Sequence, residues 1–251
     1  MNEEAVRKLF AMPADAPAYH ALPAKFVNRE FVTITYRTDP DALARVIPAP
    51  LKVPEPIVKF EFIRMPDSSG FGGYTESGQV VPVTLDGEAG GYTVRMYLDN
   101  VPAILSGREL LGYPKALGQP KLELREEAIV GTLDHSGVRI ATATMAYKYA
   151  ELDKNAIKKS MEAPSFNLKI IPNVDGSLRI CEIAKFHTQD VTVKGAWTGP
   201  ASLELHPHAL APVATLPVLE ILSAVHMIVD LSIGYGEIAH DYLAPKSTKA
   251  A

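Results

Sequence analysis

Apolar and polar positions alternate with a period near two along much of the chain. The segments "KFVNREFVTITYR", "PIVKFEFIRM", "YTVRMYL", "VRIATATMAYKY", "FNLKIIPN" and "DVTVKGAW" are rich in β-branched and aromatic residues, with proline and glycine between them. This spacing predicts many strands joined by turns such as "NVDGS" and "LDGEAGG". Fewer segments carry a helical pattern. Helices are expected over the first ten residues, over "DPDALARVI" with Pro40 at its first helical position, and over "LDKNAIKKSM". The longest apolar run, "LPVLEILSAVHMIVDLSIG", is as long as a membrane span, but it carries Glu220, His226 and Asp230. It reads as a long core-packing helix near residues 217 to 233 with those three on its surface. The mixture predicts an α+β, mainly β fold, an antiparallel sheet or barrel with helices around it, in a single domain spanning residues 1–251.

The same alternation bears on chemistry. In "IVKFEFIRM" Ile57, Lys59, Glu61, Ile63 and Met65 share one strand face, while Val58, Phe60 and Phe62 share the other. With apolar residues on both faces, Glu61 is either a buried carboxylate or an ordinary exposed one. Arg29 lies between Val27 and Phe31 in a similar alternation. The glycines of "GFGGYTESG" lack the spacing of a dinucleotide or phosphate loop, but they allow a tight turn that could present Glu76 to a pocket. The competing reading is a plain surface turn.

Composition narrows the function classes. Of the 251 residues 47% are apolar and 22% charged, and the formal charge is −4, without the basic excess that nucleic acid or an anionic membrane favours. A chain this long can bury roughly three quarters of its unfolded surface, so an enclosed cavity is feasible. Cys181 is the single cysteine, so no intrachain disulfide can form, and it reads as a small core residue. The start "MNEEAVRKLF" is too charged for a secretory signal, which makes the cytoplasm the expected compartment. The pair His206 and His208 in "HPH" has no third ligand at metal spacing, and no Gly-x-Ser-x-Gly elbow is present.

One lysine stands out. In "RELLGYPKALGQPKL" Lys115 follows a proline and is flanked by leucines and glycines. It is either one more surface lysine or a buried amine, stripped of charge by burial and therefore nucleophilic.

Taken together, "FVNRE", "FEFIRMPDSSGFGGYTESGQVVPV", "MYLDNVPAILSGRELLGYPKALGQPKL", "GTLDHSGVRIATATMAYK", "NLKIIPNVDGSLRICEI" and "DVTVKGAWTGP" resemble the acetoacetate decarboxylase family, in order and in spacing, over roughly residues 20 to 243. The resemblance implies a cone-shaped antiparallel β-barrel with surrounding helices, no metal or organic cofactor, and a large homo-oligomer, up to a dodecamer. It also implies a small β-keto acid substrate. Lys115 would form a Schiff base with the substrate ketone, with Arg29, Glu61 and Glu76 as the polar residues of an otherwise apolar cavity. Where the family pattern reads "YPKK", this chain has Ala116. Three readings of that departure are open: a natural variant that never needed the second charge, an engineered substitution, or a branch with different chemistry. The alternatives to a decarboxylase are a Schiff-base aldolase or dehydratase on the same lysine, and a ligand-binding barrel without catalysis.

Overall fold

The computed structural model describes residues 1–245. A short helix α1 (Glu3–Arg7) leads to the long strand β1 (Ala24–Arg37), helix α2 (Pro40–Ala44), and strands β2 (Ile57–Met65), β3 (Asp67–Ser68), β4 (Tyr74–Leu85) and β5 (Glu88–Leu98). Helix α3 (Val101–Leu111) and the short strand β6 (Lys115–Leu117) follow, then the meander β7 (Gln119–Arg125), β8 (Ala128–His135) and β9 (Val138–Ala146). The remainder comprises β10 (Ala150–Glu151), α4 (Lys154–Met161), β11 (Ser165–Pro172), β12 (Leu178–Phe186), β13 (Thr188–Thr198), β14 (Ala201–Leu205), β15 (Glu220–Ile233) and β16 (Glu237–Asp241). The fold is thus mainly β with few helices, and every segment with the alternating pattern is a strand.

Twelve strands form one sheet in the order β10-β13-β15-β1-β2-β4-β5-β11-β12-β16, with β3 attached to β1 and β6 to β5. This hydrogen-bonded path has two ends, so closure into a barrel is not seen among the described residues. A second sheet, β14-β9-β8-β7, packs on one face of the first. The even positions of β2, Val58, Phe60 and Phe62, join Ile34, Tyr36, Leu133, Ile140 and Met145 in the core between the two sheets. The odd positions Ile63 and Met65 join Phe26, Phe31, Met96, Leu98 and Leu111 on the opposite face, beneath α3.

The expected long helix at 217 to 233 is instead the central strand β15, paired antiparallel with both β1 and β13. From Val225 onward Val225, Met227, Val229, Leu231 and Ile233 join the core beneath α3, while His226, Ile228, Asp230 and Ser232 take the other face. Being apolar on one face and partly covered on the other, it mimics a buried helix, and tertiary pairing decides. Its polar residues hold neighbouring strands: Glu220 pairs with Arg37 at 3.1 Å, and buried His226 meets Glu30 at 2.9 Å. Conversely, α3 carries helix signals that the strand-rich surroundings obscure. The Asn100 side chain caps the Ala103 amide at 3.0 Å, Pro102 lies in the first turn, and Gly112 ends the helix at φ +70°.

Candidate active site

The "GYPK" stretch is read literally by the backbone. Gly112 takes the left-handed conformation that closes α3, and a Cβ there would meet the Lys169 backbone at 3.0 Å, so glycine is required twice over. Pro114 prevents the helix from resuming, and Lys115 opens β6, which runs parallel to β5 with Lys115 opposite Met96. The Lys115 side chain turns back against α3. Gly107 faces it, and a Cβ at 107 would lie 2.7 Å from Lys115 Cδ and 3.0 Å from Cε. Arg108 donates to the Lys115 carbonyl at 3.1 Å, fixing the strand end. Ala116, by strand alternation, packs on the other side with the inter-sheet core.

Lys115 is 7% exposed and its Nζ lies 3.0 Å from Oε2 of Glu76, which is 2% exposed. The other Glu76 oxygen accepts from an Arg29 amino group at 3.0 Å. One carboxylate therefore bridges two buried cations. Glu76 is presented by strand β4, two residues beyond its start at Tyr74, and not by the glycine turn itself. The Arg29 guanidinium carbon sits 5.0 Å from the centroid of Phe26 and 4.8 Å from that of Phe31, and Lys115 Nζ lies 4.9 Å from the Tyr113 ring. The expected alternation of Arg29 with Val27 does not hold. Val27 is exposed, and a β-bulge between Phe26 and Arg29 places Phe26 on the inward face instead.

The Lys115–Glu76 pair lies in a small chamber of about 40 Å³ walled by Phe26, Tyr74, Gly107, Leu111 and Tyr113. Arg29 and Tyr113 also line an adjoining cavity of about 540 Å³, which contains Glu61. Glu61 thus occupies the odd face of β2, on the cavity wall beside Lys59 and across from Thr33. Burial pushes the Glu61 carboxyl above its ordinary range; Lys59 and Arg29 oppose that shift and Glu76 reinforces it. Burial likewise raises the Tyr113 hydroxyl. Thr33 Oγ1 and Arg29 Nε are buried without a hydrogen-bond partner among the described residues. Thr33, Lys59 and Tyr113 were not singled out in the sequence, although the register of β1 and the parity of β2 could have nominated the first two.

Other candidates fall elsewhere. His208 Nδ1 accepts from the Leu210 and Ala211 amides at 3.1 Å, so it caps a turn, and Cys181 lies half-buried on β12. Among the described residues no helix is long and apolar enough to cross a membrane.

Lysine, glutamate and arginine thus meet in one chamber walled largely by apolar side chains. The family model for acetoacetate decarboxylase (ADC) matches residues 11–243. The chain belongs to the acetoacetate decarboxylase family. The acetoacetate decarboxylase of Chromobacterium violaceum is 57% identical over 244 residues, 97% of this chain and 99% of that protein. That of Burkholderia vietnamiensis is 59% identical over 237 residues, covering 94% and 96%. Among solved structures, an acetoacetate decarboxylase of 51% identity superimposes with a TM-score of 0.95 over 97% of this chain and all of that one. The Legionella pneumophila acetoacetate decarboxylase gives 0.92 at 50% identity, over 96% and 97%.

Proposed function

We propose that the protein, acting as one domain, decarboxylates acetoacetate to acetone and carbon dioxide through a Schiff base on Lys115. The observation that carries the reading is the buried Arg29–Glu76–Lys115 chain, with 3.0 Å between successive charged groups. A β-keto acid releases carbon dioxide only if the electron pair left behind has an acceptor, and a protonated imine at the keto carbon is one. The neutral Lys115 amine attacks that carbon, and loss of water gives the iminium. The bond to the carboxylate then breaks and its electrons reach nitrogen, forming an enamine. Protonation at carbon and hydrolysis release acetone and restore the amine.

Glu76 contacts the Lys115 nitrogen and is placed to take the proton that the ammonium must lose before attack. Glu61, held toward its protonated form, is the second acid in reach of the cavity. Arg29 keeps an unspent Nε donor, as Thr33 keeps its hydroxyl, and both suit a carboxylate arriving from the larger cavity. A tight grip on the ground-state carboxylate would oppose its departure, so Arg29 serves capture more than chemistry. Identity above 50% across nearly the whole chain favours this chemistry over an aldolase, a dehydratase or an idle binding fold, and it speaks against a branch with different chemistry as the reading of Ala116. A cytoplasmic location and a homo-oligomer, up to a dodecamer, belong to the same reading; the exposed apolar side chains Val174, Leu210 and Leu219 suit contacts between copies.

Borohydride added with acetoacetate should fix a reduced adduct on Lys115 and abolish activity, as located by peptide mass mapping. Adducts confined to surface lysines would sink the assignment. Supplying pyruvate plus an aldehyde in parallel, and finding aldol product without carbon dioxide from acetoacetate, would redirect it to the aldolase chemistry.

A further inference from the structure

We infer that Asp230, on the face of β15 opposite the one that meets the core beneath α3, is a positioning residue: it latches the β-bulge that turns Arg29 into the active site. The inference rests on the capture role proposed for Arg29.

Strand parity makes the latch necessary. Phe26 is opposite Leu231 and Arg29 is opposite Val229, so Val27 and Asn28 together face the single residue Asp230. This extra residue reverses the parity of β1, and Phe26, Arg29 and Phe31 all point inward. In a regular strand, either Phe26 or Arg29 would face solvent. The reversal requires φ +55° at Asn28, a conformation that a non-glycine residue adopts at a cost.

Asp230 supplies the compensation. Its Oδ1 accepts from the Asn28 amide at 2.7 Å and pairs with Lys194 Nζ at 2.6 Å, and Lys194 donates to Asn28 Oδ1 at 2.6 Å. The triangle joins three adjacent strands. The β13 register also shifts between Val193 and Gly195, which leaves Lys194 as the unpaired residue that reaches across β15. None of the three side chains enters the cavity, so the influence on the reaction runs through the backbone to the Arg29 guanidinium, which must meet Phe26, Phe31 and Glu76 together.

The test is a double-mutant cycle read in steady-state kinetics. Asp230→Ala should lower kcat/KM about tenfold while changing kcat by less than about threefold, because capture and not chemistry is lost. Asp230→Asn, which keeps the acceptor for the Asn28 amide, should recover most of that loss. In an Arg29→Gln background, Asp230→Ala should add less than about a twofold further loss, since the group it positions is already gone. Lys194→Met gives the same pattern at smaller amplitude and serves if Asp230→Ala fails to fold. Equal losses in both backgrounds, or unchanged kcat/KM with Arg29→Gln impaired, would overturn the latch alone. Wild-type kinetics in Arg29→Gln would overturn the capture role beneath it.

Discussion

Gly107 shows how much of the site depends on a missing atom. A helix-interior glycine costs about 1 kcal/mol relative to alanine, yet α3 has one where the Lys115 side chain crosses it. Gly107→Ala should therefore leave Tm unchanged or raised and still lower kcat at least about tenfold, because the added carbon displaces the Lys115 side chain that the proposed reaction uses. Kinetics and thermal unfolding of the same preparation check the divergence. Glu61 gives a second test at this scale. Its carboxyl titrates above the ordinary range in the folded protein, so the folded state binds more protons and stability falls as pH rises through that window. Glu61→Gln should unfold at higher temperature than the parent at neutral pH, and the difference should vanish in acid, below both values. A difference that is constant with pH would show that the burial of charge is not its source.

Among the elements, β6 is the shortest that the site uses and the one that separates Lys115 from its neighbour. Lys115 faces the chamber under α3 while Ala116 packs toward the inter-sheet core, so a charge introduced at 116 leaves the strand on the opposite side. Ala116→Lys should accordingly move the acidic limb of the kcat/KM profile by less than about one unit. A large displacement would mean that the second lysine of the family pattern acts on the first through the backbone. Strand β15 carries the complementary lesson: its apolar run is compatible with a helix until β1 and β13 are present to accept its hydrogen bonds.

Across the whole molecule, the two cores divide the work. The inter-sheet core holds the sheets together, and at Gly131 on β8 a Cβ would meet the fully buried Phe62 ring of β2 at 2.7 Å. Gly131→Ala should destabilise the protein by about 1–3 kcal/mol, since a packed ring cannot move aside as a lysine chain can. Because the site lies on the other face of the sheet, kcat/KM measured well below Tm should stay near the parent value. A matching loss of activity would show that the cores are mechanically coupled.

Strand content, helices α1, α2 and α4 and the coverage of both faces of β2 are all written in the chain, and so is the nomination of the four residues proposed for the site. Alternation and capping residues are local signals, and the long motifs around Arg29, Glu61, Glu76 and Lys115 are family signals that survive without coordinates. Local alternation rightly placed Arg29 with Phe31 but grouped it with Val27 instead of Phe26, because the bulge at Asn28 is held by Asp230 and Lys194, 202 and 166 residues away in sequence. It also cast β15 as a helix, since only pairing with other strands distinguishes a doubly covered strand from a buried helix. The Glu76 bridge between Arg29 and Lys115, the Gly107 cradle and the partition of chamber from cavity depend on which strand lies beside which. Sequence periodicity assigns a side chain to a face, but only the sheet order decides what that face meets.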